Sequence, residues 1–150
     1  MTTKKLIEKL CDEYQDGWAL SLHSPSLREI ISYCPADVRV MAWVKPFCSF
    51  KPNVNPAYAW EPVIVRGGRK RTREQETVRD WVSEPITLRK GLTGVKPRAF
   101  CMWMFAVLNL RTGDTLDDLF PGSGAVTDAW DEWLRIEAFL RGEVDATGRE

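Results

Sequence analysis

The sequence predicts an α/β domain, a central sheet with helices packed on it, and three observations predict it. Apolar runs of strand length at 17–22, 38–44 and 60–66 alternate with segments of helical periodicity at 4–14, 24–34 and 97–110. A further apolar run, 114–120, passes through Gly122-Ser123-Gly124 into a helical stretch at 125–140. An apolar content of 44% with seven Trp is that of a chain with a packed core. The expected order after the N-terminal helix is β-α-β-loop-β-loop-α-β-α, in one domain covering residues 1–150.

The N-terminal segment, 1–15, is a charged amphipathic helix in which Leu6, Ile7 and Leu10 share a face. Its lysines and glutamates exclude a signal peptide. Gly17–Leu22 reads as a buried strand. Ser24 can cap a helix that carries Pro25 at its first position and turns Leu27, Ile30 and Ile31 inward. Pro35 ends it. Val38–Val44 is a second strand, stopped by Lys45-Pro46, and Pro46, Pro52 and Pro56 make 46–57 irregular. Trp60–Arg66 is a third strand, in which Pro62 predicts an edge position or a bulge.

Residues 66–80 form a basic loop, entered through Gly67-Gly68. Pro97–Leu110 is apolar almost all round, so that helix should be buried, and its Met and aromatic residues read as core. Asp114–Phe120 is expected as the central strand, with Gly122-Ser123-Gly124 capping the helix of 125–140. Residues 142–150 read as a flexible tail.

Charge narrows the function classes. Lys plus Arg and Asp plus Glu number 21 each, so no global field draws the chain to nucleic acid. Any such contact must be local, and the 66–80 loop is the strongest charge cluster. It reads either as a solvated surface or as a phosphate-contacting loop in which Arg69, Lys70, Arg71 and Arg73 meet DNA. Cys11, Cys34, Cys48 and Cys101 lack C-x-x-C spacing, and His23 is the lone histidine. No metal site is expected. Reduced, buried thiols point to the cytoplasm, and no apolar run has membrane-spanning length.

Strand, glycine turn and helix N-terminus at 114–126 together make a place where backbone N–H groups face outward and a small polar ligand can approach the main chain. An acidic residue at the strand end, Asp117 or Asp118, rejects phosphate there and favours a ligand with an amino group or hydroxyls. Asp118-Leu-Phe-Pro-Gly-Ser-Gly124, with Lys96-Pro97 upstream at the head of a helix, resembles the S-adenosylmethionine loop of DNA amino-methyltransferases, which modify adenine N6 or cytosine N4. The order Lys96-Pro97, Gly113-Asp114, Asp118-x-Phe120-x-Gly122-Ser123-Gly124 is that of the permuted subclass. The stretch 16–133 is similar to methyltransferase-like proteins of actinobacteria and their phages.

This resemblance implies a partial, truncated Rossmann-like methyltransferase sheet with flanking helices. It assigns cofactor binding to Lys96, Pro97, Asp118, Phe120, Gly122, Ser123 and Gly124. It also requires a tetrad, Asp/Asn/Ser-Pro-Pro-aromatic, that holds and stacks a flipped base. The family places that tetrad before the strand that Gly17–Leu22 resembles, and Met1–Asp16 contain no proline.

The nearest substitute is Asn55-Pro56-Ala57-Tyr58, which lacks the second proline and a preceding strand. Asn55, Pro56 and Tyr58 are therefore the catalytic candidates, beside a reading of the same residues as a structural turn. The family's ribose-binding strand is not expected after the 125–140 helix either, so S-adenosylmethionine binding should be weak or vestigial.

The expected function is a degenerate, non-catalytic DNA methyltransferase-like protein that binds DNA, another protein or the cofactor. The alternative is an active S-adenosylmethionine-dependent methyltransferase completed by a second chain. A sheet without a strand beside 17–22 has an open edge, which a homodimer, a heteromeric partner or the N-terminal helix would cover.

Overall fold

The computed structural model describes residues 1–46, 51–86 and 95–142. Helix α1 spans Thr3–Glu13 and strand β1 Gly17–Ser21. A 3-10 turn, Ser24–Ser26, leads into α2, Leu27–Tyr33, followed by strands β2 (Arg39–Val44), β3 (Trp60–Gly67) and β4 (Trp81–Ser83). Helices α3 (Arg98–Leu108) and α4 (Ala125–Leu140) complete the order. The chain is thus mixed α/β, a four-stranded sheet in the order β1-β3-β2-β4 with helices on both faces. Strand β3 is antiparallel to β1 and β2, and β4 is parallel to β2.

The sheet is held by two apolar clusters. Strand β3 sends Val63 and Val65 to one face and Ile64 to the other, and all three are buried. A central strand covered on both sides needs this continuous apolar run. Val63, Val65 and Trp43 meet Phe100, Met104 and Phe105 of α3, while Ile64, Trp18 and Leu22 meet Ile7, Leu10 and Ile30 of α1 and α2.

Helix α1 starts where the Thr2 hydroxyl accepts from Lys5 N at 3.2 Å. Helix α3 ends at Asn109, whose φ of 55° is left-handed, with Leu110 N donating to Phe105 O at 3.0 Å.

The structure differs from the sequence reading in three places. Pro62 lies in the central strand, not at an edge. Its carbonyl accepts from Leu22 N at 3.1 Å, one residue past the end of β1, so the missing N–H forfeits only one bond at the very end of that ladder. Ser24 opens a 3-10 turn instead of capping α2, which starts at Leu27 with no side-chain cap.

Asp114–Phe120 is not a strand. The Asp118 carboxylate accepts from Phe120 N at 3.1 Å, a local bond that competes with a ladder, while Asp117 accepts from the distant Tyr14 hydroxyl. The strand next to β2 comes instead from Trp81–Ser83, three residues that carry no readable periodicity. The tail predicted at 142–150 lies, from residue 143 on, outside the described residues, as does Cys48.

Candidate binding cavity at the open sheet edge

Strand β1 is an edge of the sheet. Gly68 N donates to Asp16 O at 2.8 Å and Leu22 N to Pro62 O at 3.1 Å, one bond at each end of the β1–β3 ladder. In antiparallel pairing alternate residues bond the partner, so Trp18 and Leu20 face β3 while Ala19 and Ser21 direct their N–H and C=O groups outward. Among the described residues nothing on the main chain pairs with those outward groups. Gly17 N is taken by Tyr14 O at 3.2 Å.

Beyond this edge lies a cavity of about 440 Å³. Residues from both faces of β1, Trp18 and Leu20 with Ala19 and Ser21, line it, so it opens on the edge itself. Leu6 and Leu10 of α1, with Tyr14 at its C-cap, close one side, and Phe100, Cys101 and Met104 of α3 another. The segment 115–123 is its remaining wall. This volume is in the range of small-molecule sites, which are mostly apolar with a few placed polar groups.

The polar groups are of two signs. Lys96, just before α3, donates to Ser21 Oγ and to Glu61 Oε2, both at 3.1 Å, with its ammonium 4.9 Å from the Trp43 ring centre. Ser21 Oγ in turn donates to Glu61 Oε2 at 2.9 Å, and Lys45 donates to Glu61 Oε1 at 2.6 Å. Burial pushes the Glu61 carboxyl up, but the hydrogen bonds and charges of Lys45 and Lys96 outweigh it and hold the group below the ordinary carboxylate range. Lys96 and Ser21 line the cavity while Lys45 and Glu61 stand outside its walls, so two ammonium groups against one carboxylate leave a net positive charge beside this end.

The acidic wall is Asp117 and Asp118. Tyr14 donates its hydroxyl to Asp117 Oδ2 at 2.8 Å, which raises the phenol's pKa. Asp118 Oδ2 is buried and has no hydrogen-bond partner among the described residues. A buried carboxylate oxygen without a donor is destabilising, and an N–H or O–H would relieve it once the side chain turns into the cavity. Cys101 faces the same space, but burial pushes its thiol up to about 11, so it is not a nucleophile at neutral pH.

The glycine loop is shaped by backbone conformation. Gly122 has φ 48° and Gly124 φ 81°, both left-handed, and Gly124 is the N-cap of α4. A Cβ built on Gly124 would meet nothing within 4 Å, so its glycine answers to the turn and not to crowding.

Of the residues assigned by the resemblance, Lys96, Asp118, Phe120, Gly122 and Ser123 line this one cavity. Pro97 and Gly124 adjoin it in the chain without lining it. Asn55, Pro56 and Tyr58 are not among its walls; the Tyr58 ring packs edge-on against His23, centres 4.4 Å apart.

The basic loop divides in two. Arg69 clamps Asp114 with two bonds of 2.8 Å and donates to Asn109 O, while Arg71 donates to Ala106 O at 2.7 Å. Both therefore tie the loop to the C-terminus of α3. The exposed side chains of Lys70 and Arg73 make no ion pair among the described residues. Tyr14, Ser21, Lys45 and Glu61 escaped the sequence reading. A charged residue, Glu61, set between Trp60 and Pro62 in a buried strand was the one available signal that cations stand nearby.

The Arg69 clamp has a consequence for acid stability. Its hydrogen bonds, opposed by burial and helped by Arg111 N, hold the Asp114 carboxyl at about 2. A carboxyl lowered in the fold stabilises it above the unfolded value near ~3.9, and that contribution is lost as pH falls through the folded value. Asp114→Asn is therefore expected to lower the melting temperature at pH 7 and to flatten its decline between about pH 4 and 2. Thermal melts across that range measure both.

No helix among the described residues is long and apolar enough to cross a membrane, and no group of three or more His, Cys, Asp or Glu there is placed to hold a metal. Comparison with protein-family models, with curated proteins and with solved structures returns no match.

Proposed function

We propose that this chain is a methyltransferase-like binding module, non-catalytic by itself, whose cavity takes a ligand of the S-adenosylmethionine class. The observation that carries the reading is the convergence of Lys96, Asp118, Phe120, Gly122 and Ser123 on one cavity, with Asp118 Oδ2 lacking a donor. With the Asp118 side chain turned into the cavity, an ammonium or hydroxyl of the ligand would supply that donor, Lys96 would meet a carboxylate, and the apolar walls would hold the body. The cavity walls include neither Tyr58 nor Asn55, which supports the non-catalytic reading.

DNA contact is a lesser part of the proposal. Lys70 and Arg73 remain outward-facing in the loop, whereas Arg69 and Arg71 are engaged internally.

Calorimetry with S-adenosylmethionine tests the reading. The expected Kd lies between about 10 μM and 1 mM, or roughly −7 to −4 kcal/mol. Asp118→Asn and Lys96→Met should each weaken it about tenfold or more, the worth of a charge-assisted hydrogen bond. Both variants are checked by melting for an intact fold. No binding at 1 mM by a folded chain would overturn the assignment. Radiolabelled methyl transfer to duplex DNA above a Tyr58→Ala control would overturn its non-catalytic half.

A further inference from the structure

Two stretches of main chain line the same cavity with hydrogen-bonding groups unmet. On one side stand the outward N–H and C=O groups of Ala19 and Ser21 in β1. On the other, Thr115–Leu119 have no backbone partner among the described residues. Water satisfies such groups at a surface, but here α1 covers one face of the gap and α3 the other. Main-chain groups left unpaired in a partly enclosed, apolar space are costly, and an added strand pairs them.

We infer that the edge of β1 receives an extended segment of a different protein chain, which adds to the sheet between β1 and 115–119. The walls specify its chemistry. A strand buried on both faces must be apolar almost throughout, so the segment is a run of about five such residues, matching the length of β1. Asp117 stands in the wall, its carboxylate met by the neutral Tyr14 hydroxyl, which favours a basic flank on the segment. Among the described residues a second copy of this chain has no such strand to give. Its doubly buried strand, β3, is already central to its own sheet. The inference stands on the backbone of β1 and not on the S-adenosylmethionine reading.

Amide hydrogen exchange tests it, with a blocked probe peptide of alternating valine and alanine between lysine pairs. In the free chain Ala19 and Ser21 amides should exchange quickly while Trp18 and Leu20 are protected. Saturating peptide should slow Ala19 and Ser21 at least tenfold, and the same peptide N-methylated at alternate residues should not.

Ala19→Pro removes one outward donor without touching the β3 ladder, and it restricts Trp18 to the extended region that Trp18 already occupies. It should keep the melting temperature and lose at least tenfold in peptide affinity. Peptide binding is measured without S-adenosylmethionine, so its result is read apart from success or failure of the cofactor reading, and the two ligands, which share one cavity, should compete. Equal binding of the N-methylated peptide, or of a folded Ala19→Pro chain, would overturn the inference. So would a dimer by light scattering that Ala19→Pro converts to monomer, since a second copy would then own the edge.

Discussion

Glu61→Ala is expected to destabilise the fold by about 2–3 kcal/mol, read as a lower urea midpoint at unchanged slope. The carboxylate takes Lys45 on one oxygen and Lys96 and Ser21 on the other, and removing it leaves two ammonium groups facing each other over Trp43. Losing one partner of a fully buried pair costs roughly 3–5 kcal/mol. The lower figure applies because Lys45, Lys96 and Glu61 side chains keep 15%, 24% and 21% exposure, which admits solvent screening.

The pH dependence has a definite sign. Glu61 is depressed in the fold, so its stabilisation is present above the ordinary carboxylate range and fades as pH falls through the lowered value. Glu61→Gln should lack that part of the acid response. A midpoint within experimental error of the parent chain would show the cluster to be a solvated surface.

Gly17→Val should have the larger effect, about 3–5 kcal/mol, and a melting temperature lower by roughly 10 °C or more. Gly17 has φ 154°, and a Cβ there would lie 2.5 Å from Gly68 N, a backbone atom that cannot rotate away. The same Gly68 N bonds Asp16 O, and a Cβ on Gly68 would in turn meet Leu108 at 3.1 Å. The junction of β1, β3 and α3 is thus closed backbone to backbone, and no neighbouring side chain can yield. A valine chain that melts with the parent would mean that this junction relaxes freely.

How much of this was legible in the sequence follows the physics of each signal. The four helices and three strands rest on periodicity and flanking Pro or Gly, and the structure places them within a few residues of the reading. The 114–120 stretch misled because Leu116, Leu119 and Phe120 look like a strand, whereas its fate was decided by Asp117 and Asp118 reaching Tyr14 and Phe120 N.

Strand β4 was invisible because three residues hold no period and its partner, Ala42–Val44, lies far back in the chain. The basic loop read as uniform charge; that Arg69 belongs to Asp114, across 45 residues, is a tertiary fact. Lys96 and the glycine loop could be associated only through the family resemblance, whereas Ser21 and Glu61, the groups that position Lys96, come from strands β1 and β3.

Nitrogen–proton correlation spectra of labelled chain titrated with S-adenosylmethionine test the cavity most directly. Saturable shifts confined to Lys96 and to Asp118–Ser123, and lost in a folded Asp118→Asn chain, are the predicted result. Absence of shifts at 1 mM ligand, or shifts centred on the 66–80 loop with Lys96 and Asp118 unmoved, would contradict it.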